Sequence, residues 1–338
     1  MLKLIFKALE ILFVPITILL APITIISAAW MKFLTTFGIH KAALAEKIFT
    51  VFGVLPIRDH YYQPLVNPKK HLKKSLHEDR YLPGINFNDN IQLKILQSFN
   101  YNQELLQIPI EKPENNNIRF YFSNGSYESG DAEYLYNMIR QFRPNRMIEI
   151  GSGFSTLMAI EAFRKNKELD KTYEYEHICI EPYEMPWLES TTAKIIRQKV
   201  ESLDINIFKK LNKNDILFID SSHIIRPQGD VLFEILEILP NLNPGVLVHI
   251  HDIFTPKDYL EEWVYKEHLL WNEQYLLEAF LSNNDSYEIV GAVNYLLHNH
   301  KEDLYMKAPI LAKQSHQKPG SFWIRKKLTH RHTQTTNT

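Results

Sequence analysis

Cysteine is all but missing: the 338-residue chain has one, Cys179. No disulfide can close within it, and a lone sulfur inside an apolar run is expected to fill core space. An excess of one charge is missing too. Lys and Arg number 38 against 39 Asp and Glu, a net −1, so no bulk field favours a nucleic-acid partner and none is expected. No internal repeat is found. Glycine is scarce, 11 in all, so the close pair Gly151 and Gly153 marks a place where backbone must turn tightly or be approached closely.

Against that even background one stretch stands apart. Residues 11–31, ILFVPITILLAPITIISAAWM, carry no charge and are long enough to cross the hydrocarbon core once as a helix. Lys3 and Lys7 precede it, Lys32 follows, and Trp30 sits where an interfacial aromatic would. A cleaved signal peptide would have a shorter apolar region and a small-residue cleavage site. A buried helix of a globular domain would carry a polar side for water, and this one has none. Pro15 and Pro22 leave open a kinked or re-entrant helix that enters one leaflet only. Residues 1–35 are thus expected to be a membrane anchor, single-pass or monotopic. Basic residues gather on its C-terminal side (Lys32, Lys41, Lys47, Arg58, Lys69, Lys70, Lys73 and Lys74), which places the main domain in the cytoplasm. Residues 41–53 are amphipathic, with Leu44, Ile48, Val51 and Phe52 apolar, and suit either a membrane surface or ordinary packing. Residues 36–117 read as a helical and irregular extension that ends in a Pro- and Asn-rich loop at 111–117. The polar tail 329–338 reads as disordered.

From 118 to 328, apolar runs alternate with helical patterns. Runs at 147–150, 177–181, 193–198, 216–220 and 246–252 read as strands, and 287–293 and 321–324 as two more. Asp131 is placed to cap a helix whose buried side is Leu135, Met138, Ile139 and Phe142. The alternation predicts an α/β domain with a Rossmann-like, doubly wound, mostly parallel sheet covered on both faces. Ligands of such sheets bind at the carboxyl ends of the strands. The residues there are Glu149, Glu181, Asp220 and Asp252, all acids gathered on one rim.

The first strand runs into Glu149-Ile150-Gly151-Ser152-Gly153-Phe154-Ser155-Thr156. A dinucleotide fingerprint would need a third glycine where Thr156 stands, which disfavours a nicotinamide-dependent oxidoreductase. The stretch resembles the first motif of the class I S-adenosylmethionine-dependent methyltransferases. Residues 218–223 (FIDSSH), 239–252 (LPNLNPGVLVHIHD) and 321–325 (SFWIR) resemble a bacterial group related to the catechol-type O-methyltransferases and the so-called cephalosporin hydroxylases. The resemblance covers about residues 118–326. It implies S-adenosylmethionine as cofactor, cradled by Glu149, Gly151, Ser152, Gly153, Ser155 and Asp220, with Glu181 on its ribose. It implies methyl transfer; the expected acceptor, which the resemblance does not specify, is a hydroxyl oxygen on a membrane-associated or small-molecule acceptor, whether small molecule, glycan or lipid.

Strand four continues Asp220-Ser221-Ser222-His223. In catechol-type enzymes an acid at this place binds a divalent metal and a lysine three residues on is the base. His223 stands in the base position, and its reference pKa near 6.5 suits proton removal near neutrality. The same family has an Asp-Asn pair where this chain has Asp252-Ile253, and Ile253 cannot ligate. His251 or His249 is the candidate substitute. Asp220, His223 and Asp252 are therefore the expected catalytic residues, and Asp220, Asp252 and His251 the ligands should a divalent ion such as Mg be used. The missing ligand at Ile253 keeps a second reading open, a membrane-tethered module that binds the cofactor without catalysis.

Overall fold

A computed structural model describes residues 2–114 and 118–327; the expected tail 329–338 lies outside the described residues. The chain divides into a first unit ending at Lys74 and a second beginning at Ser75.

In the first unit, the apolar run expected as one continuous helix is broken in two. The helices Leu2–Leu19 and Ala21–Phe37 meet at Leu20, and the axes of Ile11–Leu19 and Ala21–Phe37 differ by 67°. Pro22 is the reason, since it stands in the first turn of the second helix and has no N–H to give the first. Among the described residues no single helix is long and apolar enough to cross a membrane. The amphipathic pattern forms the helix Ala43–Val51, whose Leu44, Ile48 and Val51 are exposed.

The second unit is built on seven strands: β1 (Arg146–Ile150), β2 (Glu176–Ile180), β3 (Lys194–Ile196), β4 (Ile216–Ile219), β5 (Leu247–Ile250), β6 (Tyr287–Ala292) and β7 (Phe322–Lys326). Their order is β3-β2-β1-β4-β5-β7-β6. The first five are parallel, and β7 runs antiparallel between β5 and β6. The order reverses direction between β1 and β4, which opens a crevice at their carboxyl ends.

The register gives the two faces different characters. One row, Ile178, Ile148, Leu217, Val248, Ile324 and Ile289, pairs strand to strand and is aliphatic from β2 to β6, ending on β3 at Lys194. The row beside it on the opposite face is Cys179, Glu149, Phe218, His249 and Trp323. Alternation along each strand sends these side chains to opposite sides. The second face is covered by the helices Asp131–Phe142 and Phe154–Leu169.

Two expectations change here. The segment 75–114 does not stand apart from the sheet: Leu76, Ile95, Leu96, Phe99 and Leu105 are buried, and Gln92 of the helix Asp89–Ser98 accepts the Ala292 N–H at 2.6 Å. The loop expected as a boundary is bridged by Phe122 N–H to Pro109 O, 3.0 Å. Asp131 is not a cap. It is the first residue of its helix, and its carboxylate accepts from the N–H groups of Gly320 and Ser321. Glu133 instead reaches back to the Gly130 N–H, 3.1 Å.

Candidate active site

The glycine turn is forced by its neighbours. Gly151 has φ +74°, and a Cβ there would lie 1.7 Å from the carbonyl oxygen of Asp220. Its N–H donates to Ile180 O (3.0 Å), and the Asp220 N–H donates to Ile150 O (2.8 Å). The turn is thus stitched between the ends of β2 and β4, where only glycine fits. Gly153 is different. Its φ is extended, and a Cβ would meet only the Met185 methyl, at 3.8 Å. The helix Phe154–Leu169 begins there without a side-chain cap, so its first N–H groups remain for a ligand. Ser152 is buried beside them and its hydroxyl has no partner.

Glu149 does not join this cradle. It is the penultimate residue of β1, so alternation turns it into the interior, and it is fully buried. Its carboxylate accepts from the hydroxyls of Ser155 and Thr156 (the latter at 2.8 Å) and faces His177 Nε2 at 3.0 Å and Cys179 Sγ at 3.4 Å. Ser155 borders the crevice, but its hydroxyl is spent on Glu149. Burial would lower the His177 imidazole; the Cys179 sulfur and the Glu149 carboxylate outweigh it and raise it to about 10. The folded chain therefore keeps a proton that the unfolded chain, near 6.5, gives up. This contribution to stability is full below about pH 6.5 and is lost as pH rises toward the folded value. Urea midpoints should fall across that window in the wild type and fall less in His177→Asn; equal slopes would remove the ion pair.

Glu181 lies one residue beyond β2. One oxygen accepts from the N–H groups of Tyr183 (2.8 Å) and Glu184 (2.9 Å). The other lies 3.4 Å from Ser152 N and has acceptor capacity left. It borders a crevice of about 790 Å³, lined also by the glycine turn, Met185, Glu201, Asp220 and Arg226. That is the size of a cofactor site.

Asp220 connects the crevice to a second group of residues. One donor atom each from Asp220, His223 and Asp252 lies within 4.8 Å of the others. His223 Nε2 is 3.3 Å from Asp220 and 3.7 Å from Asp252, while Nδ1 is 2.9 Å from the buried Glu273. His223 and Asp252 both hold left-handed backbone, φ 59° and 56°, a conformation found where the surroundings impose it. Burial would lower the His223 imidazole, but Asp220 and Glu273 on its two nitrogens raise it well above the ordinary value. Burial raises Asp252, whereas Asp220 is held low against burial by His251 and His223.

The expected ligand His251 stands to one side. Its Nε2 is 3.6 Å from Asp252, and its ring packs against Tyr127 at 5.1 Å. His249 is in the core, stacked on Phe218 and bonded to Ser321 Oγ at 2.9 Å. The third donor beside the two acids is His223. Sequence reasoning also passed over Glu273. It opens the helix Glu273–Leu281, and no pattern of spacing links it to a histidine so far back in the chain.

Residues 148–253, from β1 to just past β5, match the family model described as a methyltransferase domain. A protein of Archaeoglobus fulgidus, described only as uncharacterized, is 34% identical over 168 residues, which is 46% of this chain and 74% of that one. The chain belongs to the class I S-adenosylmethionine-dependent methyltransferases. Solved methyltransferases share its outline loosely. The SAH-bound Podospora anserina methyltransferase PaMTH1 is 16% identical with a TM-score of 0.36, covering 61% of this chain and 83% of its own. An O-methyltransferase from Bacillus cereus in complex with SAH is 11% identical with a TM-score of 0.35, covering 77% and 94%. Membership of that family implies S-adenosylmethionine as the cofactor. The open space at Gly153, the unpartnered Ser152 hydroxyl and the spare acceptor capacity of Glu181 fit that group.

Proposed function

We propose that this methyltransferase methylates a hydroxyl oxygen of a membrane-associated small molecule, glycan or lipid. One observation carries the reading: Asp220 lines the crevice together with the glycine turn and is also a member of the Asp220–His223–Asp252 group. S-adenosylmethionine, when bound, supplies a sulfonium methyl that needs no further activation. The chain's own task is to hold the acceptor in line and remove its proton.

Gly153 leaves room for the cofactor, and the Glu181 oxygen that accepts from Ser152 N–H has a lone pair left that would hold the ribose hydroxyls. Glu273 accepts from His223 Nδ1–H, which orients the ring and directs Nε2 at the two aspartates. Nε2, Asp220 and Asp252 share their protons as one coupled group, so the group as a whole is the proton acceptor. The same three side chains are those that would hold a divalent cation, and there it would acidify a bound hydroxyl. With His223 standing beside Asp252, Ile253 leaves no gap in the donor set, which weakens the non-catalytic reading. Membrane association is supported by the exposed apolar residues of the first unit, Phe13, Ile18, Leu19, Ile25 and Ile26 among them; the basic residues that follow the apolar run support a cytoplasmic side for the domain.

The test is methyl transfer from labelled S-adenosylmethionine to membrane extracts by the full-length protein. Label should enter an alkali-stable ether in the lipid or glycan fraction. Label recovered only in free cofactor and its hydrolysis products, with cofactor binding intact, would leave a binding module.

A further inference from the structure

We infer that the bent helix pair of the first unit lies within one leaflet of a bilayer with anionic headgroups, with both ends at the same water interface. This rests on the membrane association proposed above and deepens it. Straight, residues 11–31 would measure about 31 Å, enough for a hydrocarbon core of about 30 Å. The bend removes that fit. At 67°, the same run measures about 25 Å from end to end by helical rise.

Neither arm crosses alone. Residues 11–19 give about 14 Å of helix before the break, and residues 21–31 about 16 Å before Lys32. Laid apex-down with both arms equally inclined, each makes about 33° with the membrane plane, half of the 67° bend. Arms of 18 and 17 residues then reach about 15 Å deep, half the hydrocarbon core. The bend, bracketed by Pro15 and Pro22, would sit near the midplane.

Charge and exposure agree with this placement. Leu19 and Leu20 at the apex are exposed, as are Ile11, Phe13, Ile23, Ile25 and Ile26 along the arms. Lysines stand at both open ends, Lys3 and Lys7 before the run and Lys32, Lys41 and Lys47 after it, where they complement anionic headgroups. Trp30 is exposed two residues before Lys32, the pairing of an aromatic with a flanking lysine common near membrane interfaces. The helix Ala43–Val51 continues the surface with Leu44, Ile48, Val51 and Phe52 outward beside Lys41 and Lys47, the composition of a helix lying in the interface.

Single-cysteine reporters test this in the full-length protein, because the native Cys179 is buried and serves as the blank. Leu2→Cys, Leu20→Cys and Leu55→Cys would be expressed in cells and sealed vesicles treated with a membrane-impermeant maleimide. Leu2→Cys and Leu55→Cys should label to equal extents from the same side, and Leu20→Cys only after detergent. Labelling of positions 2 and 55 from opposite sides would mean a span. Free labelling of position 20 in pelleted vesicles would mean attachment without insertion. Full-length protein left in the high-speed supernatant without detergent would overturn the membrane reading itself, separately from its geometry.

Discussion

Gly153→Val should fold as the wild type does and lose its hold on S-adenosylmethionine. In the structure a Cβ at this position meets nothing closer than the Met185 methyl at 3.8 Å, so valine has room while the crevice is free of ligand. With cofactor in place that room is taken. Forcing a branched side chain into occupied space costs about 1–3 kcal/mol, roughly a ten- to hundredfold loss of affinity. Calorimetry should show this loss with a melting temperature near that of the wild type. Gly151→Ala should behave in the opposite way. Its Cβ would overlap the Asp220 carbonyl oxygen, 1.7 Å away, on backbone at φ +74°. The end of β4 would have to move, and stability should drop by about 2 kcal/mol or more. Unchanged affinity in Gly153→Val would place the cofactor elsewhere. Equal loss of stability in both variants would mean that Gly153 serves the fold and not the ligand.

The contrast between these glycines marks what the sequence could and could not convey. Seven runs were legible as strands, β1, β2, β4 and β5 most plainly because parallel strands buried on both faces are apolar almost throughout, and each lies within a few residues of its expected place. The acids at their ends were legible for the same reason, being the first polar residues after such runs. Which way each acid points depends on a single residue of register. Glu181 and Asp220 follow the last residues of β2 and β4, and Asp252 comes two after β5, so all three project past the sheet. Glu149 comes one residue before the end of β1 and is turned inward onto His177. Thr156, noted in the sequence only for not being glycine, gives its hydroxyl to that same inward acid. The helix break at Leu20 was suggested by two prolines, but their number does not give an angle. Glu273 was out of reach altogether, since its meeting with His223 depends on how the chain after β5 returns across the crevice.

That meeting determines the outcome at His223. In His223→Asn, turnover should fall by about a hundredfold or more, the scale of a lost proton acceptor, while cofactor affinity stays within a factor of two or so by the same reasoning. Asparagine can still donate to Glu273 from its amide, so the loop after β4 keeps an anchor where the imidazole had one. It carries no charge, and it leaves Asp220 and Asp252 facing each other without a cation between them. Two carboxylates so placed cannot both stay ionised at little cost, so the pair should hold a proton of its own and serve poorly as a base. Glu273→Gln separates orientation from chemistry. The imidazole remains, but its Nδ1–H loses a charged acceptor and the ring its fixed direction, so turnover should fall by less, roughly tenfold, on the scale of one charge-assisted hydrogen bond. Methyl transfer under saturating cofactor, read beside isothermal binding for each variant, gives both quantities. Near-normal turnover in His223→Asn would hand the proton to Asp252, directly or from a hydroxyl acidified by a cation that the aspartates would hold. A fall in cofactor affinity as large as the fall in turnover would instead place His223 among the residues that shape the crevice.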